Sequence, residues 1–308
     1  MISMKTSFPL HGLVAATHTP FHPDGSLNLA AVEKQAELML RQKIRAVFIG
    51  GTTGESSSLT LEERLALAQR WSEVVRGTEL GLVVHAGSNC LADAGTLAAQ
   101  AQRLKAAAIS ALAPSYFKPK SLDALIAGCA QIAVAAPETP FYYYDIPSFT
   151  GVSFSMVEFL EKAAARVPTL AGLKFTNPDL MMYLQCVQAA DWDLPWGLDE
   201  WLLSAVAAGA RGAVGSSYNF AAAIYHEILA AVGRGDLAAA RVAQGRSARL
   251  IGLLARYGYM GAAKATMGML GVDVGGPRLP NTGLTEEQVK ALRGELEGMG
   301  FFEWIRGV

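Results

Sequence analysis

Charge is sparse in this 308-residue chain, at 17% Asp, Glu, Lys and Arg, and nearly balanced, with a formal net charge of −1. No long basic run is present to engage a phosphate backbone or an anionic bilayer, which speaks against nucleic acid and membrane surfaces as partners. No apolar stretch reaches about 18 residues without a charge or an amide breaking it, so no membrane-spanning helix is expected. Cysteine is scarce too. Cys90, Cys129 and Cys186 are odd in number and far apart, a pattern of reduced core thiols rather than a disulfide frame or a zinc site. The opening segment MISMKTSFPL holds no apolar core of signal-peptide length, which makes a cytoplasmic location the expectation.

Two kinds of cofactor motif are also missing. No G-x-G-x-x-G follows the first predicted strand, which disfavours an open dinucleotide-binding sheet. The glycine-rich turn Gly50–Gly54 lacks the G-K-[ST] ending of a nucleotide loop. Of the histidines, only His18 and His22 stand at a ligand-like spacing. They lie on a loop with Pro20 and Pro23 rather than on a helix, so no metal site is expected.

What is present is an apolar majority, 51% of residues, enough for a large core and too much for disorder. Short β-rich runs alternate with Ala/Leu-rich runs of helical period. The predicted strands are Leu13–Thr17, Ala46–Ile49, Leu82–His85, Ile109–Ala113, Phe141–Tyr144, Leu170–Lys174, Leu194–Trp196 and Gly212–Val214. Helices are predicted between them, for example over Ala30–Gln42, Leu61–Arg76, Leu91–Lys105, Leu122–Ala136 and Met156–Ala165. Eight such units predict a (β/α)₈ TIM barrel over residues 1–232. After Tyr218 the strands stop, and residues 233–308 read as a C-terminal helical extension packed on the barrel, interrupted by the Gly/Pro-rich stretch Gly271–Pro280.

A barrel of this kind carries its chemistry at the C-terminal ends of the strands, so the polar residues that interrupt apolar strand ends are the candidates. Lys174 sits inside an apolar run, whereas Lys34, Lys43, Lys105, Lys162 and Lys290 fall on or beside helix faces. A free lysine amine is neutral only about once in 2,500 at pH 7, so a nucleophilic one needs an environment that disfavours the ammonium. The plain alternative is a strand-end lysine that reaches water. Tyr144 ends the neighbouring strand and offers a phenol as proton relay. By strand alternation it shares a face with Tyr142 while Tyr143 points the other way. Gly50–Gly54 supplies backbone N–H groups together with the Thr52 and Thr53 hydroxyls, a nest suited to a carboxylate as well as to a plain tight turn. Asp199 and Glu200 suit substrate hydroxyls, or equally the acidic first turn of a helix.

Three ordered segments, Gly51-Thr52-Thr53-Gly54-Glu55, Tyr144-Asp145-Ile146-Pro147 and Gly172-Leu173-Lys174-Phe175-Thr176, resemble the dihydrodipicolinate synthase/N-acetylneuraminate lyase superfamily. The resemblance runs from about Leu10 to Leu279. His11–Thr17, Phe141–Tyr144, Gly212–Ser216, Gly276–Pro280 and Gly197-Leu198-Asp199-Glu200 look most like the lyase branch, especially its animal type.

The resemblance implies a class I, Schiff-base carbon–carbon lyase of carbohydrate metabolism that cleaves N-acetylneuraminate, a sialic acid, to N-acetylmannosamine and pyruvate. Lys174 would form the imine and Tyr144 would shuttle the proton. Thr52 and Thr53 would bind the pyruvate carboxylate, with Thr52 relaying protons through Tyr144. Gly197, Asp199, Glu200 and Ser216 would line the sugar end with Thr176 nearby. Tyr116 matches a tyrosine that enters a neighbouring subunit's site, which implies a dimer or a homotetramer built as a dimer of dimers. No cofactor is implied, since the imine itself absorbs the electrons of the broken bond.

Two departures stand out. Synthases carry an arginine where this chain has Phe149, which speaks against dihydrodipicolinate synthesis. Lyases more often have Ala-Leu at Ser148-Phe149 and Asn or His at Asp145, so an aldehyde pocket narrowed by Phe149 and altered in polarity by the Asp145 carboxylate is expected. An aldolase for 2-keto-3-deoxygluconate or 4-hydroxy-2-oxoglutarate is the alternative enzyme. A non-catalytic keto-acid sensor would be expected to have lost Lys174 or Tyr144.

Overall fold

The computed structural model describes residues 6–306. Seven parallel strands, β1 (Gly12–Ala16), β2 (Ala46–Ile49), β3 (Gly81–His85), β4 (Ala108–Leu112), β5 (Phe141–Asp145), β6 (Leu170–Phe175) and β7 (Gly212–Gly215), pair in the order β6-β5-β4-β3-β2-β1-β7. The predicted strand Leu194–Trp196 is present only as single bridges, Gly172 to Asp193, Phe175 to Trp196 and Trp196 to Ala213. Pro195 has no N–H to donate, yet its carbonyl accepts from Phe175 N at 2.9 Å, while Trp196 N donates to Gly212 O at 3.0 Å. The 193–197 segment therefore bonds to β6 on one side and β7 on the other, and the barrel closes.

Helices α1 (Ala31–Arg41), α2 (Leu61–Val75), α3 (Leu91–Arg103), α4 (Leu122–Ala133), the short α5 (Pro147–Thr150), α6 (Met156–Ala163), α7 (Leu180–Ala189), α8 (Leu202–Ala207) and α9 (Tyr218–Gly233) cover the outside. Several start where the sequence supplies a cap. Thr60 and Glu63 form a reciprocal capping box on α2, and Ser121, Ser155 and Asp179 accept from the first turns of α4, α6 and α7. Each such cap is worth about 1 kcal/mol.

Strand alternation divides the core in two. Tyr143, Leu173 and Phe175 face the helices, whereas Phe48, Tyr142, Tyr144 and Val214 pack together in the lumen. The lumen is closed at the N-terminal end of the strands by Asp193. It accepts from Tyr142 Oη and from the Leu10 amide, both at 2.6 Å.

Beyond the barrel come α10 (Leu237–Arg256), α11 (Tyr259–Met269), α12 (Glu286–Gly298) and α13 (Phe301–Trp304). Helix α10 lies along α9, and the loop between α11 and α12 returns to the open, C-terminal end of the barrel, where Pro280, Asn281 and Thr282 line its cavity. Among the described residues no helix is long and apolar enough to cross a membrane, and the three cysteines are unpaired.

Candidate active site

A cavity of about 580 Å³ opens at the C-terminal ends of the strands. Lys174, Tyr144, Thr52, Thr53, Thr176, Gly197 and Ser216 all line it.

Lys174 is the penultimate residue of β6 and is 4% exposed. Its neighbours Leu173 and Phe175 point to the helices, so alternation turns the lysine into the lumen. Parallel pairing sets Tyr144 of β5 beside it. The Nζ lies 3.7 Å from the centre of the Tyr144 ring and 4.3 Å from that of Phe48. Among the described residues no carboxylate stands within salt-bridge distance of this amine.

Lys264 makes the contrast. It is equally buried, at 2% exposed, but its Nζ is paired with Glu55 Oε1 at 2.8 Å and donates to the carbonyls of Thr19 and Gly276. Of these two lysines, Lys174 faces the cavity and has no counter-ion among the described residues, whereas Lys264 is paired away from it.

Tyr144 Oη lies 3.2 Å from Thr52 Oγ1. The turn that presents Thr52 depends on glycine at both ends. Gly50 has φ +62°, and a Cβ on Gly54 would lie 2.9 Å from the Gly50 nitrogen. The turn is further held by Thr19 Oγ1, which donates to Gly54 O at 2.6 Å. Behind the phenol, Phe48 and His85 meet its ring edge-on, with centroids 5.8 and 5.9 Å away. Burial, then the Arg64 and Lys174 charges, hold the His85 imidazole well below its ordinary range, so it packs as a neutral ring. Arg64 fixes its backbone, donating to His85 O at 2.7 Å and Gly87 O at 3.0 Å.

The opposite wall is polar and closely fitted. A side chain at Gly197 would collide with Thr176 Oγ1, and one at Gly215 with Asp199 Oδ1. Asp199 lies beneath this wall, 5% exposed, and accepts from the Ser217 amide at 2.9 Å. Burial raises its carboxyl to about 6 against those Ser217 hydrogen bonds. Neither Asp199 nor Glu200 lines the cavity, and both sit in the single turn Asp199–Trp201. Tyr116 lies outside the cavity as well. It is 80% exposed on the loop after β4, its ring edge-on to that of Phe117 at 5.0 Å.

The expectation that the Asp145 carboxylate alters the polarity of the aldehyde pocket is corrected. Asp145 follows Tyr144 on the strand and so faces the other way, buried, with its Oδ2 accepting from Asn177 Nδ2 at 3.0 Å. Phe149, in contrast, stands at the rim, 70% exposed, and does line the cavity.

The sequence reading missed the contribution of the extension. Tyr259, Met260, Pro280, Asn281 and Thr282 form part of the cavity wall. The stretch Gly276–Pro280 carries part of the family resemblance, but nothing in its sequence indicates that its end returns to the barrel mouth. Chemically, the site offers a buried amine without a counter-ion, a phenol in contact with a hydroxyl relay, and a loop of hydroxyls and amides beside them. Such a set can capture a ketone and move protons around the resulting imine.

A family model described as the dihydrodipicolinate synthetase family matches residues 9–298. The N-acetylneuraminate lyase of Gallus gallus is 37% identical over 296 residues, 94% of this chain and 96% of that protein. The N-acetylneuraminate lyase A of Xenopus laevis is 43% identical over 237 residues, 76% of this chain and 78% of that protein. Among solved structures, that of the Proteus mirabilis N-acetylneuraminate lyase superposes with a TM-score of 0.91 at 36% identity, covering 94% of this chain and 98% of that one.

Proposed function

Because this chain belongs to the dihydrodipicolinate synthetase family, we propose that it is a Schiff-base aldolase that reversibly cleaves N-acetylneuraminate to N-acetylmannosamine and pyruvate. The observation that carries this reading is the Lys174 amine, buried without a counter-ion 3.7 Å from the ring of a tyrosine whose hydroxyl meets Thr52.

In the cleavage direction Lys174 Nζ adds to the ketone carbon C2 of the open-chain sugar acid, and water leaves to give a protonated imine. Loss of the proton from the C4 hydroxyl then breaks the C3–C4 bond. Its electrons flow into the imine as a neutral enamine, and the aldehyde departs. Tyr144 Oη, backed by Thr52 Oγ1, accepts the hydroxyl proton and returns one to C3. Hydrolysis of the imine releases pyruvate and the free amine. The amides and hydroxyls of Thr52 and Thr53 hold the carboxylate that stays on the pyruvate half.

We assign the sugar end to Thr176, Gly197 and Ser216, with Asp199 bracing them through its bond to the Ser217 amide and Glu200 next to it in the same turn. A homotetrameric assembly with Tyr116 entering a neighbouring site, a cytoplasmic location, and a division into barrel (1–232) and extension (233–308) belong to the same proposal. Phe149 at the rim favours a second reading, an aldolase for a smaller 2-keto acid such as 2-keto-3-deoxygluconate.

Aldehyde release from N-acetylneuraminate and from 2-keto-3-deoxygluconate, measured side by side, decides between them. The proposal expects the first to be preferred in kcat/KM. Preference for the second transfers the function to the smaller substrate.

A further inference from the structure

Tyr259 opens α11 directly after Gly258, whose φ of +84° turns the chain in toward the barrel mouth in a way other residues rarely allow. Its Oη lies 2.6 Å from Ser216 Oγ, just beyond the end of β7, and both residues line the cavity. The position of this hydroxyl pair matters. The Thr52–Tyr144 bond occupies the β2 and β5 side of the lumen. The arc from β6 through the 193–197 segment to β7 is left to Thr176, Gly197, Ser216 and Tyr259. A substrate held by its ketone at Lys174 and by its carboxylate at the Thr52 loop has that arc as the strand-end wall for the part beyond the bond that breaks, with Phe149 and the 280–282 loop also lining the cavity.

We propose that Tyr259 is a specificity-determining residue which, paired with Ser216, reads neutral hydroxyl or amide groups on the aldehyde half of the substrate. The assignment rests on the aldolase function proposed above and extends it to the helical extension. Two hydroxyls in contact can each donate and accept, so together they complement a polyhydroxylated chain and have no charge to offer a carboxylated aldehyde. Burial first, and then the Asp199 carboxylate, push the Tyr259 phenol above its ordinary range. It therefore remains a neutral donor across the working pH range.

The test is condensation of pyruvate with N-acetylmannosamine and with glyceraldehyde by the wild-type chain, Tyr259→Phe, Ser216→Ala, and Ser216→Ala/Tyr259→Phe. Imine trapping with pyruvate alone serves as the check that the site is intact. Losing one uncharged hydrogen bond should lower kcat/KM for N-acetylmannosamine by about three- to tenfold, mainly through KM. Glyceraldehyde should change by less than about twofold, and imine trapping should keep its wild-type rate, since neither engages a single distal hydroxyl. The double variant should lose less than the product of the two single losses, because the hydroxyls act as one unit.

Equal losses for both aldehydes would make the bond a structural tie and overturn the assignment, as would no loss for either. A wild-type enzyme that favours glyceraldehyde also contradicts it. A wild-type protein that traps no pyruvate imine removes the proposed function itself, a result distinct from an active wild type with an unchanged ratio in Tyr259→Phe.

Discussion

Glu55 and Lys264 form a buried ion pair, Oε1 to Nζ at 2.8 Å, that ties the hydroxyl loop after β2 to helix α11 of the extension. Glu55 is 5% exposed and holds a left-handed backbone at φ 54°. Its second oxygen accepts from the Arg278 amide at 2.9 Å. His18 is fully buried beside this pair. Burial, then the Lys264 charge, lower it to about 3, so Glu55 is the lysine's anionic partner and His18 stays uncharged.

Breaking such a pair from one side should therefore cost more than removing it. Lys264→Met leaves a buried carboxylate uncompensated and is expected to destabilise by about 3–5 kcal/mol. Lys264→Met combined with Glu55→Gln should recover a large part of that loss. Urea unfolding at pH 7.5 checks the order, and a double variant less stable than the single one contradicts it.

Tyr144→Phe removes the phenol and keeps the ring that packs on Phe48, His85 and the Lys174 amine. Turnover is expected to fall at least about a hundredfold, as for loss of a general acid–base group. Imine formation with pyruvate should still be detectable by borohydride trapping. A near-normal turnover number removes the tyrosine from the proton path.

Thr52→Val keeps the volume of the side chain but leaves Tyr144 Oη without its 3.2 Å partner. A loss of about tenfold in kcat, with Thr52→Ser returning most of it, is the expected pattern for a hydroxyl relay. If serine is no better than valine, the hydroxyl is not the group that matters.

Asp145 gives a pH dependence of defined sign. Burial raises its carboxyl to about 6, opposed by the Asn177 hydrogen bond. A folded value above the ordinary 3.8 means that the native state binds the proton more tightly than the unfolded chain. Its contribution is thus most favourable below about pH 4, is lost as pH rises from there through about 6, and is flat above. Asp145→Asn should stabilise the protein by on the order of 2 kcal/mol at pH 8 and by little at pH 4. Denaturation at the two pH values tests this, and a gain of equal size at both contradicts it.

Much of this was legible in the chain, and the reasons are specific. The strand positions followed from β-rich runs between helical periods, and alternation placed Tyr142 and Tyr144 in the lumen with Tyr143 outside. The same alternation, carried one residue further, puts Asp145 outside. Its charge had suggested a pocket residue, whereas the backbone direction decides. Pro195 reduced the closing strand to single bridges, because a residue without an N–H cannot continue a ladder.

The extension was legible as helices but not as a wall of the site. Helical period reveals which face of α11 is buried. It does not reveal that Tyr259 reaches Ser216, 43 residues away in sequence, or that Lys264 meets Glu55 across the domain. Those are long-range contacts, fixed by how the chain returns, and no local pattern encodes them.

The most direct measurement is mass spectrometry of the intact enzyme after pyruvate and borohydride. The account predicts one irreversible adduct per chain, on the peptide containing Lys174, absent in Lys174→Ala and retained in Lys264→Met. No adduct on the wild-type protein, or an adduct that maps to Lys264, contradicts it.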